Sequence, residues 1–374
     1  MTARSYLDFN ATAPIRPEVI RAMVEGMKQG GNASSVHTEG RSARSSVEKS
    51  RKLVANLVGC DSRAVIFTGS GTEANNQALN CTGHEQLIVS SIEHESVLKA
   101  RTNVSICPVT SEGVINLEEL EKILHGNKLS KIVSLMYANN ETGVIQPVID
   151  ATLLAHKYGA LMHCDAVQAA GKIPIDFSKL NVDFLSLSAH KIGGPQGVGA
   201  LICKDHNVIK GLIRGGGQEN GLRAGTENVP GIIGYGVAAE AALLQLENFN
   251  QLCLLRNELE KRLLEIGSSI TFFAQNIKRL PNTSKFATPG LASEIQVMAF
   301  DLDGVSISAG SACSAGRIDT PYVLSAMGVE DDLAKCAVRV SLGWTTTQFD
   351  VDRLITSYEA LYARQFDLNS LTKT

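Results

Sequence analysis

Short apolar runs alternate with longer helical patterns along the first two hundred residues of this chain, and this alternation restricts the fold more than any other feature. Each run is rich in Val, Ile, Leu and Ala, as is typical of parallel strands that helices cover on both faces. Regular alternation of strands and helices predicts an α/β fold with a mainly parallel sheet. The predicted strands are residues 64–68, 86–90, 131–136, 160–165, 183–187 and 200–203.

The sequence pattern changes after about residue 230, where a long stretch rich in Ala, Leu and Glu begins. Residues 234–266 contain no strand pattern, and we predict that they form a long helical connection to a second domain. Beyond them, the sequence predicts strands near residues 270–274 and 337–342 and a final helix over residues 351–364. Two domains are therefore expected.

Charge is nearly balanced, with 35 Lys and Arg against 38 Asp and Glu and a net charge of −3, and it is spread along the chain. A wide nucleic-acid interface is disfavoured, because phosphate binding requires clustered Lys and Arg. The longest apolar stretch, residues 229–244, is interrupted by several Gly and by Glu240, which argues against a membrane span. The first five residues lack the apolar segment of a secretory signal. We expect a cytoplasmic protein that binds neither a membrane nor nucleic acid directly.

Eight cysteines lie far apart and form no CxxC pair, which favours neither a disulfide framework nor a zinc ribbon. Cys107, Cys164 and Cys203 lie in apolar strand patterns and are predicted to be inert small hydrophobic residues. Cys313 differs because Gly, Ser and Ala surround it over residues 309–316. Small neighbours let a loop move and leave a thiol accessible. The alternative is an ordinary cysteine in a turn.

A lysine follows the predicted strand at residues 183–187, where a Gly-rich turn begins. In a parallel sheet this is the edge at which active sites form. Lys191 is therefore a candidate Schiff-base amine, although an isolated lysine after a strand is more often a solvated surface residue. Asp165 and Gln168 follow another predicted strand and reach the same edge. Asp165 is a candidate partner for a protonated ring nitrogen, the alternative being an ordinary helix N-cap.

Residues 67–76 have the pattern of a strand, a glycine turn and the start of a helix. Backbone N–H groups near Gly71 and the Thr72 hydroxyl predict an anion site there. The spacing matches neither GxGxxG nor a Walker loop, and many such turns bind nothing. His94 follows the predicted strand at residues 86–90, where an imidazole can stack on a planar ligand and move protons. A structural, hydrogen-bonded histidine is the alternative.

Taken together, these positions belong to an ordered set of motifs that runs nearly from end to end of the chain. The motifs are residues 6–14, 31–37, 72–76, 93–94, 139–143, 165–168, 188–191, 223–228, 311–314 and 339–343. In this order they resemble the cysteine desulfurases of the class V aminotransferase family, which are pyridoxal 5′-phosphate (PLP) enzymes of fold type I. The loop Ser308-Ala309-Gly310-Ser311-Ala312-Cys313 resembles the subgroup with a Ser-Ser-Gly-Ser-Ala-Cys-type loop.

The resemblance implies a seven-stranded, mainly parallel sheet in a large domain over residues 15–248. It implies a smaller α+β domain made of residues 1–14 and 249–374, which carries the catalytic cysteine loop. It also implies that Lys191 forms the Schiff base and moves the α-proton, that Asp165 pairs with the ring nitrogen, and that Gln168 binds the phenolic oxygen. The implied cofactor-binding residues are Gly71, Thr72, His94, Asp165, Gln168, Ser188, His190, Lys191 and, from the partner subunit of a homodimer, Thr226.

For the substrate L-cysteine, the resemblance implies that Asn139 and Arg339 hold the carboxylate, Arg339 through a bidentate fork. The resemblance also implies that His94 stacks on the ring and is a catalytic residue together with Lys191 and Cys313. It further implies that Cys313 attacks the substrate sulfur and that the products are an enzyme persulfide and alanine. The implied partner is a sulfur-acceptor or iron–sulfur scaffold protein, with a role in iron–sulfur cluster assembly or tRNA thiolation.

Three other functions remain open from the sequence. A selenocysteine lyase would use much the same residues. A transaminase or another class V lyase would leave Cys313 with a structural role. A catalytically silent sulfur-relay scaffold would keep the fold and the partner surface, although the presence together of Lys191, Asp165, Gln168, His94 and Cys313 argues against it.

Overall fold

A central sheet of seven strands organises the larger part of the molecule. The computed structural model describes residues 4–309 and 321–371, so that Cys313 lies outside the described residues. The strands are β1 (Ser5–Tyr6), β2 (Val65–Thr68), β3 (Gln86–Ser90), β4 (Val104–Cys107), β5 (Lys131–Ser134), β6 (Leu161–Asp165), β7 (Phe184–Ser188), β8 (Gly199–Cys203), β9 (Thr271–Phe272), β10 (Thr283–Ala287), β11 (Val305–Ser306) and β12 (Ala337–Ser341). The central sheet has the order β2-β8-β7-β6-β5-β3-β4. In this sheet β8 pairs antiparallel with β2 and β7, whereas the other four strand pairs are parallel, so the predicted mainly parallel arrangement is confirmed.

Helices cover the central sheet and build much of the smaller part. They are α1 (Pro17–Gln29), α2 (Thr38–Val58), α3 (Gly71–Asn80), α4 (Glu95–Leu98), α5 (Leu117–His125), α6 (Val148–Lys157), α7 (Phe177–Leu180), α8 (Val229–Leu244), α9 (Leu246–Asn250), α10 (Leu252–Ile266), α11 (Ser293–Leu302), α12 (Tyr322–Ala326), α13 (Asp331–Ala334) and α14 (Gln348–Leu371). In α2, Ala43, Val47 and Val54 form a buried stripe. The helix ends at Gly59, whose φ of 66° is left-handed and favours glycine.

The helical stretch predicted over residues 234–266 is broken into α8, α9 and α10. The chain bends by 66° between α8 and the helices that follow it. The two long helices bury their apolar faces in different places, because Ala238 and Ala239 of α8 belong to the core of the large domain, whereas Leu259 of α10 belongs to a second core. A straight helix cannot reach both cores. Among the described residues no single helix is long and apolar enough to span a membrane, and only this bent pair reaches the required length and composition.

The smaller part of the molecule has its own sheet and its own core. Strands β9, β10 and β12 form an antiparallel sheet, and β1 pairs in parallel with β11. Its core contains Leu7 together with Phe286, Phe300 and Tyr358. The N-terminal segment therefore packs with residues from the C-terminal third of the chain. The exact division at residues 14, 15, 248 and 249 stays our interpretation.

Candidate active site

A pocket of about 270 Å³ opens where the carboxyl ends of the central strands face the smaller part of the molecule. It is lined by Asn10, Ala11, Ser70, Gly71, Thr72, Asn75, His94, Ser96, Met136, Ala138, Asn140, Asp165, Val167, Gln168, Ser188, His190, Lys191 and Arg339. Strands β6 and β7 end at Asp165 and Ser188, so both strands deliver polar groups to the same edge. Most of the residues proposed from the sequence are therefore brought together in one cavity.

The amine of Lys191 is held at a defined point on the pocket wall. A short turn after β7, residues Ala189–Lys191, carries the side chain out of the sheet. Its Nζ donates hydrogen bonds to the backbone oxygens of Asn10, at 2.6 Å, and Ala11, at 2.7 Å. The alternative of a solvated surface lysine is excluded, because the amine lies in the cavity against backbone from the N-terminal segment.

The carboxylate of Asp165 accepts hydrogen bonds at both oxygens. Asn75 Nδ2 donates to Oδ2 at 2.8 Å, and the backbone N–H of Val167 donates to Oδ1 at 3.0 Å. The contact with the Val167 N–H is a local turn contact of the kind expected if Asp165 were an ordinary N-cap. Because the side chain also lines the pocket, the capping contact and a role toward a bound ring are compatible.

Gln168 lines the pocket with its carboxamide fixed by two neighbours. Its Nε2 donates to the backbone oxygen of Asn10 at 2.9 Å, and its Oε1 accepts from Lys172 Nζ at 2.6 Å. Lys172 is fully buried and also donates to Asn10 Oδ1 at 2.7 Å. Burial, together with the charges of Lys191 and Arg339, holds the pKa of Lys172 well below its usual range. Because the backbone oxygen of Asn10 can only accept, it fixes which end of the Gln168 amide carries the N–H groups.

One corner of the pocket is suited to an anion. Helix α3 begins at Gly71, and a Cβ added there would lie 2.9 Å from Val167 Cγ2, so only a glycine fits without displacing a neighbour. The first backbone N–H groups of the helix and the hydroxyls of Thr72 and Ser188 border this corner. His190 completes it, and burial lowers the pKa of its imidazole to about 4, with a smaller contribution from the charge of Lys191. The imidazole is neutral at pH 7 and can donate through one nitrogen.

His94 is both a pocket residue and a structural cap. It is the N-cap of α4, and its Nδ1 accepts the backbone N–H of Ser96 at 3.1 Å. The Ser96 hydroxyl lies 2.8 Å from the same nitrogen. The functional interpretation and the structural alternative are therefore compatible, because the capping contact fixes the ring that lines the pocket.

Arg339, on β12, brings a guanidinium to the opposite side of the pocket. Its Nη2 donates to Asp8 Oδ1 at 2.6 Å, and its Nη1 donates to the backbone oxygen of Asn140 at 3.1 Å. Its Nε is buried and has no hydrogen-bond partner among the described residues. A buried guanidinium that keeps a spare donor is suited to a carboxylate ligand.

The structure does not support the expectation that Asn139 binds the substrate carboxylate, because Asn139 is not among the residues that line the pocket. Its Oδ1 accepts the backbone N–H groups of Glu141 and Thr142, each at 2.9 Å. Its Nδ2 points to the backbone oxygen of Ile92 at 3.2 Å, so the side chain is engaged in holding the turn. Asn140 lines the pocket instead, and its Oδ1 is buried without a hydrogen-bond partner in the described part of the chain.

Thr226, also proposed from the sequence, does not line the pocket of this single chain. Thr226 is exposed, and its role in a partner subunit's site stays a prediction. Cys313 lies outside the described residues. On the near side of that gap, Ser308 exchanges backbone hydrogen bonds with Arg339, at 2.7 and 3.2 Å. On the far side, the Tyr322 hydroxyl donates to the backbone oxygen of Glu93 at 2.8 Å. The described residues on both sides therefore contact the surroundings of the pocket.

Glu93 is a fully buried carboxyl next to the pocket. Its Oε1 accepts from Ser90 Oγ at 2.6 Å and from the backbone N–H of Met136 at 2.8 Å, while its Oε2 has no partner among the described residues. Burial raises the pKa of Glu93 from 4.5 to about 8. The side chain is therefore mostly protonated at neutral pH.

This shift predicts a pH-dependent stability. Between about pH 4.5 and 8 the unfolded state has lost the Glu93 proton while the folded state keeps it, so folding becomes less favourable as pH rises. We expect the free energy of unfolding of the wild type to fall by a few kcal/mol between pH 5 and pH 8, and Glu93→Gln to remove this fall. Urea unfolding of the cofactor-free protein at the two pH values measures the free energy of unfolding. Glu95→Gln, on the surface beside Lys99, is the control, and equal pH slopes for the wild type and Glu93→Gln would contradict the assignment.

Several pocket residues were not proposed as site residues from the sequence. Asn10, Asn75 and Asn140 stand inside motifs that were recognised, but nothing in a sequence says which residue of such a motif points inward. Lys172 does not line the pocket but contacts Gln168, which it follows by four residues, a spacing that on a helical turn places two side chains on one face. That spacing was the available signal for Lys172.

The chain resembles known proteins over nearly its whole length. A model of the class V aminotransferases matches residues 5–354. The cysteine desulfurase IscS of Dictyoglomus turgidum is 39% identical over 371 residues, covering 94% of this chain and 93% of that protein. A solved NifS-like protein from Rickettsia africae matches with a TM-score of 0.89 at 36% identity, covering 96% of this chain and 99% of that one. The structure of SspA in complex with cysteine matches with a TM-score of 0.78 at 29% identity, covering 90% and 98%. The family match spans every residue that lines the pocket.

Proposed function

Because the chain belongs to the class V aminotransferase family and is a cysteine desulfurase, we propose that it uses PLP to convert L-cysteine to L-alanine and passes the sulfur to Cys313. One observation carries the cofactor assignment. A single cavity is lined by a lysine amine, by a carboxylate that accepts two hydrogen bonds, and by a helix N-terminus with neighbouring hydroxyls.

The residues of the pocket fit this cofactor. The corner at Gly71, Thr72, Ser188 and His190 suits a phosphate, since it combines backbone N–H groups, hydroxyls and a neutral imidazole. When bound, PLP supplies an electron sink for the electron pair released at the substrate's α-carbon.

The chain's own residues hold the reactants and move protons. Lys191 would hold the cofactor covalently and would move the proton at the substrate's α-carbon. Asp165 would accept a hydrogen bond from the protonated ring nitrogen, and His94 would pack on the ring. Arg339 and Asn140 hold the substrate carboxylate, Asn140 taking the place first expected for Asn139. Each of these groups lines the pocket.

Sulfur transfer requires a nucleophilic thiol. The Cys313 thiolate forms an S–S bond to the substrate sulfur as the bond between that sulfur and the β-carbon breaks. The electron pair of the broken bond stays with the substrate carbon, which takes up a proton and becomes the methyl group of alanine. Cys313 is left as a persulfide, whose outer sulfur is available to an acceptor.

L-cysteine is the proposed substrate, and a sulfur-acceptor protein is the proposed partner. SspA, a structural relative, was solved with cysteine, which supports L-cysteine as the substrate. A persulfide must be discharged before the next turnover, so we propose an acceptor protein, such as an iron–sulfur scaffold. We also propose a cytoplasmic protein that does not bind nucleic acid or membranes directly, and the balanced charge supports the part of this proposal that concerns nucleic acid.

Product analysis tests the proposed function. The protein, supplied with PLP, should release alanine from L-cysteine and carry one additional sulfur atom per chain before an acceptor is added. Release of pyruvate in place of alanine would indicate another class V lyase. Turnover of L-selenocysteine but not of L-cysteine would indicate a selenocysteine lyase. Absence of PLP binding would favour the silent scaffold.

A homodimer is expected, because the resemblance assigns Thr226 to the site of the partner subunit. The loop that presents Thr226 is firmly held, since Arg51 makes two hydrogen bonds of 2.7 Å to Glu219 and Gln77 donates to the backbone oxygen of Leu222 at 2.8 Å. Light scattering should give twice the chain mass of 40.0 kDa, and Thr226→Ala should weaken PLP binding without dissociating the dimer. A fully active monomer at high dilution would contradict this prediction.

A further inference from the structure

The side chain of Asn75 is part of the pocket wall, between two other groups that face the cofactor site. It projects from α3 and is 1% exposed, and its Nδ2 donates two hydrogen bonds. This nitrogen donates to Asp165 Oδ2 at 2.8 Å and to Ser96 Oγ at 2.8 Å. Both amide hydrogens of Asn75 are therefore engaged.

The orientation of the Asn75 amide is fixed by what surrounds it. Turning the amide over would place its oxygen against the acceptor-only carboxylate of Asp165. The Ser96 side holds the same orientation, because Ser96 Oγ accepts from Asn75 and has its own hydrogen left for His94 Nδ1 at 2.8 Å. His94 Nδ1 already accepts the backbone N–H of Ser96, so it is an acceptor here. Asn75 is therefore the donor to both Asp165 and Ser96, and the Ser96 hydroxyl is in turn the donor to His94.

The amide oxygen of Asn75 shows that the surroundings favour one orientation of the amide over the other. Asn75 Oδ1 is buried and has no hydrogen-bond partner among the described residues. An unpaired buried acceptor costs free energy. The cost is tolerated here because the opposite orientation would set that oxygen against a carboxylate.

We propose that Asn75 is a positioning residue, which holds the Asp165 carboxylate in the orientation that receives the ring nitrogen of PLP. The inference rests on the proposed function, since it assumes PLP in this pocket. Asn75 acts on the ring through Asp165, with Ser96 and His94 keeping its amide in the donating orientation. Hydrogen bonds to charged groups are among the stronger ones in proteins, so the loss of this donor should be measurable.

The test separates an effect on the ring nitrogen from a general loss of fit. The full-length protein, stripped of cofactor, is titrated with PLP and with 1-deazapyridoxal 5′-phosphate, in which C–H replaces the ring nitrogen. Both probes keep the aldehyde and the phosphate, so their contacts with Lys191 and α3 are shared. Binding is followed by visible absorbance, which reports affinity independently of turnover.

We expect Asn75→Leu to weaken PLP binding by about 10-fold or more and binding of the deaza analogue by less than about 2-fold. Asn75→Ala should show the same pattern, which covers the case in which leucine does not fit. Asn76→Leu is the matched control, because Asn76 lies next on α3 and donates only to the backbone oxygens of Thr72 and Ser96. It should change both affinities by less than about 2-fold.

The possible failures are distinguishable. If the Asn75 variants weaken both probes equally, or neither, Asn75 does not act through the ring nitrogen and the inference is wrong, while the proposed function stands. If Asn76→Leu produces the same selective loss, the effect belongs to α3 as a whole and the inference is again wrong. If the wild-type protein binds neither probe, the proposed function itself fails.

Discussion

Replacing Lys191 with alanine should abolish alanine release from L-cysteine. The variant loses two functions at once, the covalent attachment of the cofactor and the base at the substrate's α-carbon. General acid–base catalysis alone contributes about 10²–10⁴-fold, so we expect a loss of at least about 10⁴-fold, measured as alanine formed per chain. PLP should still bind noncovalently, because the anion-binding corner near Gly71 does not involve this amine.

Mass spectrometry after borohydride reduction provides the second readout for Lys191. In the wild type, reduction should fix the cofactor mass on the peptide that contains Lys191, and in the variant it should fix none. Lys204→Ala is the control, because Lys204 is an exposed lysine that donates to Asn181 at 2.7 Å, away from the pocket. Normal alanine production by Lys191→Ala, or cofactor attached to another lysine in the wild type, would overturn the assignment.

Replacing Cys313 with serine should abolish sulfur transfer while substrate binding persists. The groups proposed to bind the cofactor and the substrate carboxylate lie elsewhere in the sequence, so the spectral change on adding L-cysteine should remain. A serine hydroxyl is a far poorer nucleophile toward sulfur, whereas a cysteine with a pKa of about 8.5 is a few per cent thiolate at neutral pH. We expect no persulfide on the variant and a loss of sulfide release of at least about 10³-fold, by analogy with other nucleophile replacements.

The surroundings of other cysteines support this choice of nucleophile. Burial raises the pKa of Cys60, Cys107 and Cys203 to about 12, and it raises the pKa of Cys164 well above its usual value. These thiols stay protonated at neutral pH and are unsuited to attack, as predicted for Cys107, Cys164 and Cys203.

Cys60→Ser is the matched control for Cys313→Ser and should transfer sulfur normally. Mass spectrometry of the peptides after substrate addition decides the matter. An additional sulfur on a cysteine other than Cys313, or undiminished sulfide release from Cys313→Ser, would show that the wrong nucleophile is named.

Much of the site follows from local sequence because the sheet is mainly parallel. Carboxyl ends of parallel strands share one edge, so residues that follow separate strands, such as Asp165 and Lys191, are brought together by topology alone. The same reasoning fails for β10 (Thr283–Ala287), because this strand has no apolar pattern from which it could be predicted. Its polar residues are buried because they bond to residues far away in sequence. Ser284 donates a hydrogen bond to Glu260 at 2.7 Å, and Lys285 donates one to Glu141 at 3.2 Å.

Details of orientation could not be predicted either. Asn139 and Asn140 are neighbours of the same type, and the difference between them arises from which one caps the turn at residues 141–142. The broken helix after residue 244 has a similar origin, because a single-sequence pattern does not reveal that its two halves pack into different cores.

The position of the N-terminal segment has a consequence for building chimeric enzymes. Leu7 packs in the core of the smaller part, yet three residues later Asn10 supplies the oxygen that holds Lys191. The backbone N–H of Ala13 then donates to the oxygen of His190 at 2.9 Å. An exchange of small domains between relatives therefore needs two crossover points, and the first must fall in the few residues after Ala13. A single exchange near residue 248 would combine the β1 strand of one parent with the β11 strand of the other.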